Sequence, residues 1–307
     1  MQKRLLVIFF LIVIGVGLCW ADEGNSAQEV TLDSKYPRLS SGPLRRAVLA
    51  TLPTGVVAEV EEITITTKDI AAEIAKKPKE VQSSLTKYPF YVLDTMLTDK
   101  LITKDASVWA SINGVSLDSE EQLIGEYLKS IAGEVTVSDE ELLAYFKENQ
   151  SMFGTLTFEQ VKSNLHGYLV DQKRMKVTQD FINSVGERHR IRVSQRWAAL
   201  QYAKWVNNPV EKARRTGKPA LINFGSEKCA PCEMMKPILE KLTKDYEGKV
   251  SVVFVHVGKE PILSAQYGVR VIPCQLFCDR DGKEVFRHEG FYSMEAIQKK
   301  FSELGFE

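Results

Sequence analysis

Cysteine is scarce in this sequence and unevenly placed: of five in 307 residues, one is Cys19 and the rest, Cys229, Cys232, Cys274 and Cys278, share one late stretch. The long segment between them has no disulfide staple and must hold by packing alone. An excess of either charge is also missing. Forty basic residues balance forty acidic ones, and without a net field or a long charge run, nucleic acid is not an expected partner. Histidine is rare, and none of the four lies in the cysteine pair or beside a plausible metal partner. No internal repeat is found, and long apolar runs are absent after Leu18.

The one apolar run before that point is informative. Lys3 and Arg4 precede Leu5 to Leu18, and Cys19-Trp20-Ala21 follows before the chain turns polar. This is the layout of a signal peptide over residues 1–21, cut after Ala21. The run is short for a membrane span, although an uncleaved anchor using Trp20 at the interface is a second reading. Both readings put the remainder in a periplasmic or other extracytoplasmic space. Bacterial lipoproteins have a small residue before the lipidated cysteine, and Leu18 argues against lipidation of Cys19.

Residues 22–55 are rich in Ser, Gly, Pro and charge, and read as a linker or loose arm. From Val56 the text alternates as a short strand, and Thr67-Lys-Asp caps a helix. Helical faces follow at Tyr91, Leu93, Leu97, Leu101 and Ile102, at Leu123 to Ile131, and at Leu142, Leu143 and Phe146. Ser138-Asp-Glu-Glu supplies an N-cap with acids in the first turn. A long helix is expected from Phe158 to Gly186, then an extended piece from Arg188 to Val193. The basic cluster Arg188 to Arg192, with Arg196, reads as a solvated edge strand and linker. This mostly α-helical order resembles the SurA-like N-terminal chaperone domain of periplasmic peptidyl-prolyl isomerases, with domain limits at 56–196. In that family a parvulin isomerase domain often stands between the segments matching Asn149 to Phe153 and Phe158. Only Gly154 to Thr157 lie between them here, far short of the roughly 50 residues a domain needs, so isomerase activity is not expected. A client-holding role and a plain spacer or dimerisation role both remain open.

The strongest chemistry is Cys229-Ala-Pro-Cys232, directly after the apolar run Leu221 to Phe224. Two cysteines two residues apart at a helix start can close and open a small disulfide, and the helix N-terminus favours the thiolate of the first. Val271-Ile-Pro-Cys274 follows about forty residues later. An X-Pro bond takes the cis form at modest cost, so this loop can press against the pair. Pro219 to Gly305 resembles the thioredoxin superfamily: Cys229 and Cys232 match the active pair, Pro237 the helix-kinking proline, Pro273 the cis-proline, and Gly290 the glycine closing the last hairpin. The fold expected for 197–307 is therefore an α/β thioredoxin domain.

That resemblance implies a thiol-disulfide oxidoreductase; no cofactor is expected, and strand geometry argues against a four-cysteine zinc site. Cys229 is the expected attacking thiolate, tuned by Lys228, and Cys232 the resolving thiol. Ile272 and Pro273 are expected to bind substrate backbone. Ala230-Pro231 looks closer to the reducing members than to the oxidising ones. The implied partners are secreted or periplasmic client proteins and a membrane electron donor of the DsbD or CcdA type. An oxidase or isomerase, and a chaperone or scaffold whose thioredoxin fold only binds, are the competing readings. Three departures stand out: Lys228 replaces the usual Trp, Asn223 the buried acid, and Phe254 the lysine often paired with it. Slower, more partner-dependent exchange is the expected result. Cys274 is read either as an auxiliary thiol near the pair or as a small buried apolar residue. Cys278 is read as core. Strand geometry separates the two by about 13 Å, too far to share a metal or a bridge.

Overall fold

The computed structural model describes residues 29–306; the signal-peptide segment lies outside them. The first region holds α1 (Leu32–Lys35), a 3-10 turn (Pro43–Arg46), β1 (Val48–Ala50), β2 (Val56–Val60), β3 (Ile63–Thr66), α2 (Thr67–Ala75), α3 (Lys79–Lys87), α4 (Pro89–Asn113), α5 (Glu120–Ala132), α6 (Asp139–Glu148), α7 (Gln150–Phe153), α8 (Phe158–Arg188) and β4 (Arg192–Ser194). The second holds α9 (Gln195–Trp205), α10 (Pro209–Arg214), β5 (Ala220–Gly225), α11 (Ala230–Asp245), β6 (Ser251–His256), α12 (Pro261–Gln266), β7 (Cys274–Cys278), β8 (Glu284–Glu289) and α13 (Met294–Leu304).

Local chemistry sets the helix ends of the first region. Thr66 with Asp69, and Ser138 with Glu141, close reciprocal capping boxes at α2 and α6, each satisfying two otherwise orphan backbone donors. Gly114, in the left-handed conformation, ends α4. Along α4, Leu93, Leu97 and Leu101 fall on one stripe and are buried, as the helical period requires. Each such burial contributes roughly 1.5–3 kcal/mol. α6, the first turns of α8 and Val137 just before α6 build a small separate core from Val137, Leu142, Phe146, Val161 and Leu165.

Two expectations for this region need correction. The described part of the supposed loose arm is packed: Leu32, Leu39, Leu44 and Ala47 are buried, and β1 pairs in parallel with β4 in a sheet of order β1-β4-β2-β3. Its hydrophobic residues are few and follow no single period, so their burial is set by distant partners. One is α8, whose Gly186 comes so close that a Cβ there would lie 2.1 Å from the Pro43 carbonyl oxygen. The basic cluster, in turn, is not a solvated linker. Arg188 pairs with Asp105 at 2.8 Å and Arg192 with Glu59 at 3.0 Å, while buried His189 sits between Glu61 and Asp105. These partners are dispersed through the preceding elements, which is why the run looked unpaired in isolation.

The second sheet runs β6-β5-β7-β8, with β5 and β6 parallel and the other pairs antiparallel. Period-two alternation divides its side chains. Leu221 and Phe277 join Met235, Leu239 and Leu242 of α11 and Ile297 and Phe301 of α13 on one face. Ile222, Phe224 and Leu276 face the other way, toward α10 and α12, in a cluster that continues without a break into Leu44, Leu93 and Val193. The two regions thus share a core across the expected boundary at residue 196. Buried Glu211 of α10 reinforces the joint: Arg38 donates to both its carboxylate oxygens at 2.8 Å, and the Tyr267 hydroxyl donates at 2.6 Å. Burial pushes the Glu211 carboxyl up, but the Arg38 and Tyr267 hydrogen bonds outweigh it and leave the group below its ordinary value.

Candidate active site

β5 carries the chain to the end of the sheet and α11 starts there. Cys229 is the N-cap, in extended conformation, and the Cys232 N–H donates to its sulfur at 3.3 Å. Pro231 occupies the first turn, where a missing N–H costs nothing. Pro237 lies in the helix interior, where it removes one backbone hydrogen bond. Cys229 and Cys232 are joined as a disulfide with their Cα atoms 5.2 Å apart. Cys229 is half-buried whereas Cys232 is only 1 % exposed. An incoming group therefore reaches Cys229 first. Once reduced, its sulfur would face a backbone donor and the positive end of a helix, both of which favour the thiolate.

The second wall of the site is the loop before β7. The Ile272-Pro273 bond is cis, and the Ile272 carbonyl oxygen lies 3.9 Å from Cys229 Sγ. Gly290 fixes this loop from the far side, its N–H donating to the Pro273 carbonyl at 2.7 Å. Gly225, at the end of β5, is where the sheet meets the pair: a Cβ there would lie 3.4 Å from Cys232 Sγ and 3.0 Å from a Phe254 ring carbon. Met234, Phe254 and Val271 are substantially exposed, as are the charged neighbours Glu227, Lys228 and Glu233.

Residues 206–305 match the family model of a thioredoxin-like domain. Thioredoxin from Chlorobaculum thiosulfatiphilum is 37% identical over 86 residues, which is 28% of this chain and 79% of that protein. Thioredoxin 2 from Chlorobaculum tepidum is 38% identical over 86 residues, covering 28% of this chain and 78% of its own. The chain belongs to the thioredoxin family. Its thioredoxin domain has the kind of pair that carries thiol-disulfide oxidoreductase chemistry, and the model's match begins at Val206, just past α9.

The rest of the thioredoxin site departs from the simplest expectation. Asn223 is fully buried on the α11 side of β5, two residues from Gly225. The Gln275 Nε2 donates to its Oδ1 at 2.9 Å, while Asn223 Nδ2 and Gln275 Oε1 find no partner among the described residues. A buried amide pair therefore stands where a carboxylate was expected to be missing. Gln275 was not singled out from the sequence; its one signal was a polar residue inside the otherwise apolar β7. Such half-satisfied amides cost about 1–3 kcal/mol each, so their presence marks a polar floor beneath Cys232.

Cys274 does not come together with the pair. It stands opposite Phe224 in the register and packs with Phe224, Leu276 and Tyr267 in the cluster on the face away from α11. Arg287 Nη1 lies 3.9 Å from its sulfur. Burial pushes the thiol up to about 11, against the pull of Arg287, so it is protonated at neutral pH and inert as a nucleophile. The reading of Cys274 as an auxiliary thiol is corrected accordingly: sequence adjacency to Pro273 implied nearness, but strand alternation sends the side chain to the opposite face. Cys278 is buried on that same face, its thiol likewise raised to about 11 by burial. Lys228 is exposed. Solvent weakens the field of such an exposed charge.

Proposed function

We propose that this protein is an extracytoplasmic thiol-disulfide reductase acting on disulfides of secreted or periplasmic proteins, with the helical region engaging the client. The observation that carries the reading is the position of half-buried Cys229 between the start of α11 and the Ile272 carbonyl. The Cys229 thiolate attacks one sulfur of a client disulfide, forming a mixed disulfide and releasing the other client sulfur as a thiolate. Cys232, after losing its proton, attacks the Cys229 sulfur. The Cys229-Cys232 bond closes, the client leaves as a dithiol, and two electrons have passed to it. A dithiol donor, such as a membrane protein of the DsbD or CcdA type, then returns the pair to the reduced state.

The reducing direction draws support from Ala230-Pro231, which places no histidine between the cysteines. The exposed apolar side chains of Met234, Phe254 and Val271 suit a protein client better than a small, charged disulfide. Insulin reduction with dithiothreitol as donor tests the reading. The wild type should accelerate it and Cys229→Ser should not, while cell fractionation should find the protein outside the cytoplasm. If Cys229→Ser loses nothing yet the chain still suppresses aggregation of a denatured client, a chaperone or scaffold role replaces this one.

A further inference from the structure

β8 is the last strand of its sheet, with β7 on one side only. One bond fixes which of its backbone groups are used. The Gly290 N–H donates to the Pro273 carbonyl, one step beyond the opposed pair Cys274 and Glu289. Hydrogen-bonded and non-bonded pairs alternate along antiparallel strands. Phe286 and His288 therefore turn their backbone groups toward β7, and Arg287 and Glu289 turn theirs outward, where no partner occurs among the described residues. Exposed edges of this kind are usually covered or blunted. This one instead borders a cleft of about 650 Å³ whose opposite wall is Tyr145 of α6 with Tyr168 and Gln172 of α8. The two tyrosine rings are 5.8 Å apart, and on the sheet side His288 stacks on Tyr292 at 4.0 Å.

We infer that β8 is a docking strand for an extended segment of client polypeptide, which adds to the sheet edge and lies between it and the tyrosines of the helical region. A row of outward N–H and C=O groups at every second residue is complementary to another extended backbone. The aromatic walls receive its alternate side chains. The cleft carries both signs, Arg287 and Lys299 against Glu289 and Glu303, which does not select for a ligand of one charge such as nucleic acid. The Glu289 end of β8 leads through the Gly290–Pro273 hydrogen bond to the loop against Cys229, so a docked segment presents neighbouring cysteines to the pair. That last consequence rests on the proposed function; the docking itself does not.

The test uses the oxidised full chain and a fluorescein-labelled, cysteine-free peptide of alternating Val or Tyr and Thr, read by fluorescence anisotropy. Saturable binding is expected, weakened at least tenfold when alternate peptide residues are N-methylated. Glu289→Pro, which removes an outward donor without breaking a β7 bond, should weaken it at least fivefold. Tyr145→Ala with Tyr168→Ala, on the opposite wall, should do the same and guards against misfolding of the strand variant. No saturable binding, equal binding of the N-methylated peptide, or binding untouched by both sets of variants overturns the inference. So does a dimer of the chain that the peptide leaves intact and Glu289→Pro dissociates, since β8 would then pair with a second copy. Peptide binding retained in a wild type that fails to reduce insulin supports the docking strand and counts against the redox reading alone.

Discussion

Replacing Arg38 with Met isolates the joint between the amino-terminal arm and the thioredoxin domain. Glu211 is wholly buried, and Arg38 supplies two of its hydrogen bonds at 2.8 Å. Removing Arg38 takes away the main counter-ion and leaves the Tyr267 hydroxyl bond at 2.6 Å; loss of one partner of such a pair costs about 3–5 kcal/mol. Arg215 lies 3.8 Å from the second carboxylate oxygen and offers only a longer, more exposed contact, so the lower part of that range, about 3 kcal/mol, is expected at pH 7. The pH dependence gives a second check. In the wild type the Glu211 carboxyl is held below its ordinary value, so its contribution is present above that value and fades as the pH falls through the folded-state value. Without Arg38, burial dominates and the carboxyl takes up a proton more readily, so the variant's deficit should shrink toward pH 4. Urea titration monitored by tryptophan fluorescence, at both pH values, measures this. Adding Glu211→Gln to the variant should recover much of the loss at pH 7. A deficit under about 1 kcal/mol, or no recovery in the double variant, would refute the reasoning.

Three other outcomes follow from buried groups. Asp94 lies against the Ser40 hydroxyl, which donates at 2.6 Å, and burial raises its carboxyl to about 6 despite that bond. Because the folded value exceeds the unfolded one, the folded state holds the proton better between pH 4 and 6, and stability falls as pH rises through that window. The size is about 3 kcal/mol, read as the difference between wild type and Asp94→Asn in thermal melts across pH. Cys274→Ala should leave the insulin-reduction rate within twofold of wild type, and a loss beyond tenfold would restore a redox role for that thiol. Asn223→Asp places a proton acceptor on the floor beneath Cys232. Insulin reduction should speed up and stability should drop by about 1–3 kcal/mol, with stopped-flow rates and urea midpoints as the readouts.

What the sequence made legible was what rests on short-range patterns. The Cys229-x-x-Cys232 spacing, the Ile272-Pro273 step, the stripe Leu93, Leu97 and Leu101, and the cap at Ser138 each act within one turn or one loop, and each stands where its pattern points. The arm was illegible for the opposite reason. Leu32, Leu39 and Leu44 share no period, and β1 joins its sheet through β4, well over a hundred residues later. Asn223 was visible as a missing acid, but its partner Gln275 needs the β5–β7 register before the two meet. Cys274 shows the same limit, since its place in the chain suggested proximity to the pair while its face of the sheet decided otherwise. The shared core under Glu211 is likewise a product of tertiary packing and has no signature in a single stretch of sequence.

Trapping of the exchange intermediate addresses the chemistry most directly. The Cys232→Ser chain, incubated reduced with a disulfide-bonded client such as insulin, cannot resolve the first step. Peptide mass mapping should find a mixed disulfide between Cys229 and the client, and Cys229→Ser should give none. An adduct on Cys274, or no adduct at all from the Cys232→Ser chain, would contradict the assignment of Cys229 as the attacking thiolate.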